Sequence, residues 1–215
     1  QNSGFLPAGV SPDGKWLALD KPNTSADSDV YLADLTKPAT QKPVLVTPNN
    51  ADIAYATYEF TPDSKSLIYA TDEFGEFMQA WTHEIATGKK AELLKADWDV
   101  MFVTYSPSGK YRVDAINADA STKITILDQT AGKPVALTGV PDGDIGSVRF
   151  NRDETKIAFT VASDTSPSDV FVADLATGAA TRLTTSLNPA IDEQMLVTTE
   201  VGRYKSFDGL DIPAI

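Results

Sequence analysis

The chain has 215 residues, 42% of them hydrophobic, a net charge of −12, a pI near 4.4 and no cysteine. That acidic balance offers no basic footprint for nucleic acid or for an anionic membrane surface. The missing thiols exclude disulfides, zinc–thiolate sites and a cysteine nucleophile. No apolar run approaches the ~18 residues of a membrane span, so no membrane insertion is expected. The opening "QNSGFLPAG" lacks the basic-then-apolar order of a signal peptide. The expectation is that such a segment has been removed or that the chain begins inside a longer gene product; bacterial periplasm and cytoplasm both stay open.

The first predicted elements are "WLALD" (16–20), "DVYLADL" (29–35) and "VLVT" (44–47), behind the turn signal "SPDGK" (11–15). The second set is "ATYEF" (56–60), the turn "TPDSK" (61–65), "SLIYATD" (66–72), "MQAWTHEIA" (78–86) and "AELL" (91–94). The third is "FVTYS" (102–106), the turn "SPSGK" (106–110), "YRVDAIN" (111–117), "KITILDQ" (123–129) and "VALT" (135–138). The fourth is "GSVRF" (146–150), the turn "NRDET" (151–155), "KIAFTVA" (156–162), "DVFVADLA" (169–176) and "TRLT" (181–184). The turns stand 50, 45 and 45 residues apart, so "SDVYLADL" (28–35) and "SDVFVADL" (168–175), identical at six of eight positions, are the same piece of the first and fourth repeats.

These runs are short, rich in β-branched and aromatic residues, and bounded by Pro, Asp, Gly and Asn, which is the signature of strands and tight turns. No helical period is sustained. Four strands in about 45 residues describe a propeller blade. The predicted fold is all-β: a partial β-propeller of about four four-stranded blades, with repeats near 5–50, 51–96, 97–140 and 141–190.

The repeat stops after "TRLTTSLNP" (181–189), and "EVGRYKSFDGLDIPAI" (200–215) reads as strand, turn, strand. Tyr204, Ser206, Asp208, Gly209, Ile212, Pro213 and Ala214 match a Y-x-S-x-D-G-x-x-I-P-A pattern. The tail thereby resembles the junction at which, in the prolyl oligopeptidase family of serine peptidases, a propeller passes into an α/β-hydrolase domain. The repeats also resemble that family's propellers, acylaminoacyl-peptidase and dipeptidyl-peptidase-like bacterial members above all. They resemble TolB-type propellers equally well; the tail makes the choice. The resemblance implies blades over residues 1–190, and a linker with the first hairpin of a hydrolase domain over 191–215. It implies a missing propeller half and a missing hydrolase domain as partners, peptide as substrate of the parent enzyme, and a gating and substrate-selecting role for this portion. A TolB-like protein- or peptide-binding module is the alternative. With terminal blade faces uncovered, the chain is expected to pair with its missing half or with itself as a homo-oligomer; Ile212 and Ile215 add to the apolar surface.

The chain itself should not be catalytic. A nucleophile elbow, G-x-S-x-G, is absent; Ser147 lies in a predicted strand and Ser108 in a turn. The only histidine, His83, falls in a strand, where a structural role outweighs a base; the family triad would lie beyond residue 215. No cofactor is expected, since phosphate-cradling glycine motifs are missing. No metal is expected either: Asp142 and Asp144 in "PDGDIG" are too few for a calcium loop and read as a polar turn.

Two sets of residues remain. "ATDEFGEFMQAW" (70–81) holds acidic and aromatic residues where sibling blades have plain polar loops. The family resemblance implies that Glu73 and Glu76, with Phe77, bind the free amino end of a substrate, since a carboxylate in a half-buried site makes a charge-assisted bond to an ammonium. The alternative is a solvated acidic loop with a phenylalanine tucked into the blade edge. The second set is Glu59, Thr104 and Arg149, each two residues before a turn, on strands expected to run beside the propeller axis. They are expected to line a central channel, or to pair with one another or with solvent inside it.

Overall fold

The computed structural model describes residues 4–38 and 40–214; Ile215 lies outside them. Four antiparallel sheets of four strands follow one another, each a meander in chain order. Blade one holds β1 (Leu6–Val10), β2 (Trp16–Pro22), β3 (Ser28–Asp34) and β4 (Val44–Leu45). Blade two holds β5 (Tyr55–Phe60), β6 (Ser66–Thr71), β7 (Gln79–Glu84) and β8 (Lys90–Leu94). Blade three holds β9 (Val100–Tyr105), β10 (Tyr111–Ala118), β11 (Ser121–Asp128) and β12 (Lys133–Pro134). Blade four holds β13 (Asp144–Phe150), β14 (Lys156–Ser163), β15 (Ser166–Asp174) and β16 (Ala180–Arg182). A 3₁₀ turn (Glu193–Met195) and the hairpin β17 (Gly202–Lys205)–β18 (Asp211–Ala214) complete the chain. Among the described residues there is no α-helix, hence none long and apolar enough to cross a membrane. This is the all-β, partial-propeller architecture that the repeat predicts.

The repeated turn has a chemical reason. Its first residue lends a side-chain oxygen to the backbone N–H five residues on: Ser11 to Trp16 (2.9 Å), Thr61 to Ser66 (3.0 Å), Ser106 to Tyr111 (2.9 Å) and Asn151 to Lys156 (2.8 Å). The third residue accepts from the backbone of the fifth: Asp13 from Lys15, Asp63 from Lys65, Ser108 from Lys110 and Asp153 from Thr155. The fourth adopts a left-handed conformation, held by Gly14 and Gly109 but also by Ser64 (φ 59°) and Glu154 (φ 55°). These bonds close the turn of each β-hairpin locally.

The doubled octapeptide is explained the same way. Val30 and Val170 donate their N–H to Thr47 and Thr184, each at 2.9 Å, where the last strand of the blade ends. Asp34 and Asp174 accept from the backbone two residues on and hold the turn out of the third strand. The residues between alternate between the two faces of the blade.

The chain divides into two compact units, Gln1–Ile116 with Thr125–Pro134 and Asn117–Ile124 with Val135–Ile215. In the first, β1 lies beside β5 and β5 beside β9. Strand β6 shows why blades need near-continuous apolar strands. Leu67 and Tyr69 pack with Ala18, Val30, Leu32 and Val46 of blade one, whereas Ile68 packs with Val100 and Val103 of blade three. Both faces are buried, so alternation gives way to an apolar run. In the second unit Ile157, Phe159, Val161, Phe171 and Ala173 are buried, and Phe159 stacks on Phe171 at 6.0 Å between centroids.

One feature of every blade has no counterpart in the repeat pattern. The first strand breaks register against the second at Pro7/Gly9, Thr57/Glu59, Ala115/Ile116 and Gly146/Arg149. These are β-bulges, which bend a strand and add twist. Ser147 sits in the last of them with φ 51°, in the strand where it is predicted but at a strained position.

Candidate functional site

Loop 72–78 joins β6 to β7 and is anchored by its own blade and by the segment that leads into β9. Asp72 accepts from the N–H of Ala54 (2.9 Å), and the N–H of Glu73 donates to Thr71 Oγ1 (3.0 Å). At the other end the N–H of Met78 donates to Asp99 (2.8 Å), and Gln79 Oε1 accepts from Ala96 (2.6 Å). Two aromatic contacts pin the loop between these ends: Phe74 lies on Trp81 at 4.1 Å, and Phe77 meets Trp98 at 5.9 Å.

The two glutamates differ. Glu73 is half-buried; its Oε2 accepts from Tyr55 Oη (3.0 Å) and pairs with Lys90 Nζ (3.3 Å), which also sits over the Tyr55 ring. Burial first, then the Glu73 carboxylate, pushes the Tyr55 phenol well above its ordinary range. Both contacts fall on one oxygen, and Oε1 makes no hydrogen bond among the described residues. Glu76 is exposed. The loop therefore presents one exposed carboxylate and one carboxylate oxygen braced by a lysine, and Phe77 beside Glu76 in the chain is half-buried. Lys90 and Tyr55 were not legible as partners of Glu73: they open strands β8 and β5, 17 and 18 residues away along the chain.

The structure brings two of the three first-strand residues together. Glu59 of β5 accepts from Thr104 Oγ1 (2.9 Å) and from the N–H of Tyr105 (2.6 Å), both on β9. Arg149 belongs to the second unit, is exposed, and donates to the carbonyl of Val148 (2.7 Å). A similar tie, unmarked in the sequence, joins blades one and two: half-buried Asp20 of β2 accepts from Thr57 Oγ1 of β5 at 2.6 Å. Burial raises the Asp20 carboxyl above its ordinary value, and the Thr57 hydrogen bonds only partly offset that.

Asp142 is exposed, and Asp144 accepts from the N–H of Thr122 (2.7 Å). His83 is half-buried on β7, opposite Lys90, and its Nδ1 finds no hydrogen-bond partner among the described residues. Burial, then the neighbouring lysine, lowers its pKa below the ordinary 6.5. A histidine favoured as neutral in the fold contributes stability that is complete above its unfolded pKa and lost as pH falls below it. The expected result is a decline in stability as pH drops from about 6.5 towards 5, absent in His83→Phe. Denaturant midpoints at these two pH values would show it, and an NMR titration of the single imidazole giving a pKa at or above 6.5 would contradict it.

A family model described as the prolyl oligopeptidase N-terminal β-propeller domain matches residues 1–186. No curated protein sequence matches the chain. Among solved structures, prolyl oligopeptidase B from Galerina marginata is 18% identical with a TM-score of 0.72, over 99% of this chain and 31% of that one. A puromycin-hydrolyzing peptidase from Mycobacterium tuberculosis is 17% identical with a TM-score of 0.75, over 97% of this chain and 32% of its own. TolB from Acinetobacter baumannii is 19% identical with a TM-score of 0.61, over 85% and 44%. At these identities the likeness is one of fold, and the chain spans under a third of either peptidase.

Proposed function

The chain belongs to the prolyl oligopeptidase family, within its N-terminal β-propeller domain, and on that premise we propose that it is the gating and substrate-selecting portion of a serine peptidase acting on short peptides. In this reading residues 1–190 are blades, and 191–215 are the linker and first hairpin of a hydrolase domain. A propeller over a buried active site admits only what passes a narrow opening, so a folded protein is refused and a short peptide is not. The observation that carries the selecting role is loop 72–78, anchored at both ends and offering the Glu76 carboxylate and the unengaged Oε1 of Glu73. Such a pair suits the free ammonium of a peptide's amino end. Glu59, Thr104 and Arg149 are proposed to line the passage.

The test is the rate of hydrolysis, by the full-length parent, of a peptide with a free amino end and of its acetylated twin. Changing Glu73→Gln and Glu76→Gln together is expected to lower the free-to-acetylated rate ratio by about tenfold, in proportion to the loss of one charge-assisted hydrogen bond. An unchanged ratio makes the loop ordinary surface. The likeness to TolB supports a second reading, a non-enzymatic binding propeller; a parent that hydrolyses neither peptide favours it.

A further inference from the structure

The segment leading into the C-terminal hairpin is tied to the second unit at two points. Thr199 donates both its N–H and its Oγ1 hydrogen to Asp164 Oδ2, each at 2.7 Å. Four residues on, Arg203 pairs with Asp119 Oδ2 at 2.6 Å. Asp164 and Asp119 occupy the same topological place: each stands at the tip of a hairpin joining the second and third strands of its blade, β14–β15 and β10–β11.

The Asp119 tip is costly to hold. A two-residue loop, Asp119-Ala120, separates the strands, and both residues have left-handed φ angles, 53° and 63°. That geometry ordinarily selects Asn-Gly or Asp-Gly, because a Cβ at the second position is strained. Here an alanine takes the glycine's place, and the carboxylate is delivered to Arg203. At Asp164 the tie serves the backbone. Residues 196–201 have no regular secondary structure, so the N–H of Thr199 has no ladder partner and takes a carboxylate instead. The two Thr199 bonds also hold the Asp164 carboxyl below its ordinary value.

We propose that Asp119 and Asp164 form a two-point latch that fixes Thr199–Arg203, and with it the orientation of hairpin β17–β18, on the tips of two blade hairpins. The hairpin also has bonds of its own: its strands pair from Gly202–Ala214 to Lys205–Asp211, Lys205 pairs with Asp211 at 2.8 Å, and its turn repeats the Ser-x-Asp-Gly chemistry of the blades. What the latch sets is the direction in which Tyr204, Phe207 and Leu210 are presented, all three largely exposed. The latch itself stands apart from the peptidase reading; that it would orient a catalytic domain rests on that reading.

The experiment is amide hydrogen exchange of the 215-residue chain, resolved by peptide, in the wild type, Thr199→Val, Arg203→Gln and the double variant. Thr199→Val deletes the hydroxyl bond and Arg203→Gln the charge, both at surface positions. Exchange over 198–205 is expected to rise several-fold in each single variant and about tenfold in the double, while β6 stays protected. In the wild type, raising salt from about 0.05 to 1 M should speed exchange at 202–205, since the half-exposed Arg203–Asp119 pair is screened, and Arg203→Gln should abolish that salt response. Unchanged exchange in the double variant overturns the latch. So does a rise spread evenly over all peptides, which would make these residues general stabilisers. Neither outcome bears on substrate selection, which the free-amine comparison decides separately.

Discussion

Gly178→Ala is expected to destabilise the chain by about 3 kcal/mol or more, where Gly14→Ala costs about 1–2 kcal/mol. Both glycines have left-handed φ angles, 74° and 72°, so both variants incur the strain of a Cβ in that region. They differ in what the Cβ meets. Beside Gly14 there is open space; at Gly178 the new carbon would stand 1.9 Å from the carbonyl oxygen of Ala136. That oxygen is backbone and cannot swing away like a side chain. The segment around it is bonded to the same turn: Thr138 donates to the carbonyl of Gly178 (2.9 Å), and Ala180 donates back to Thr138 (2.8 Å). Relief therefore means breaking the junction between the end of the third repeat and the last turn of the fourth. Urea unfolding of the two variants decides it: equal losses would mean that the approach is not tight.

The same comparison marks how far the sequence could be read. "ATGKK" and "ATGAA" announce the same turn, and both contain a left-handed glycine. Yet a Cβ on Gly88 would meet nothing closer than His83 Cε1 at 3.9 Å, so nothing local separates a tolerant glycine from an indispensable one. What was legible is local and repeated: the Ser-Pro-Asp-Gly turns, whose side chains bond within five residues, and the short β-branched and aromatic strands. What was not legible depends on residues brought together from afar. "WLALD" reads as a plain strand, but its Asp20 accepts from Thr57 Oγ1 of the next blade at 2.6 Å. The bulges leave no compositional trace, because any side chain can occupy most of them. Glu73 stood out as acidic against its sibling loops; that Lys90 and Tyr55 brace one of its oxygens follows only from the fold.

Asp169→Asn is expected to lower the melting temperature by roughly 10 °C, and Asp29→Asn by no more than about 2 °C. The two aspartates are the same letter of the repeated octapeptide. Asp29 is half-exposed and accepts one bond, from Asn23 Nδ2 at 3.0 Å. Asp169 is 1% exposed. It accepts from Thr184 Oγ1 (2.7 Å), from the N–H of Ser186 (2.9 Å) and from Ser166 Oγ (3.3 Å), and it pairs with Arg182. The Thr184 bond leads in holding its carboxyl far below the ordinary 3.8, with Arg182 and Ser186 adding to it. An asparagine there keeps one acceptor and turns two donors towards donors, and it leaves Arg182 without its counter-charge. The pH dependence follows with a definite sign. A carboxylate whose folded pKa is depressed contributes stability that is complete above its unfolded value and is lost as pH falls through the folded one. The wild type should therefore lose this contribution progressively below about pH 4, and Asp169→Asn, having none, should show a flatter acid limb. Parallel acid limbs, or equal losses in the two variants, would show that the buried cluster carries no more weight than its exposed twin.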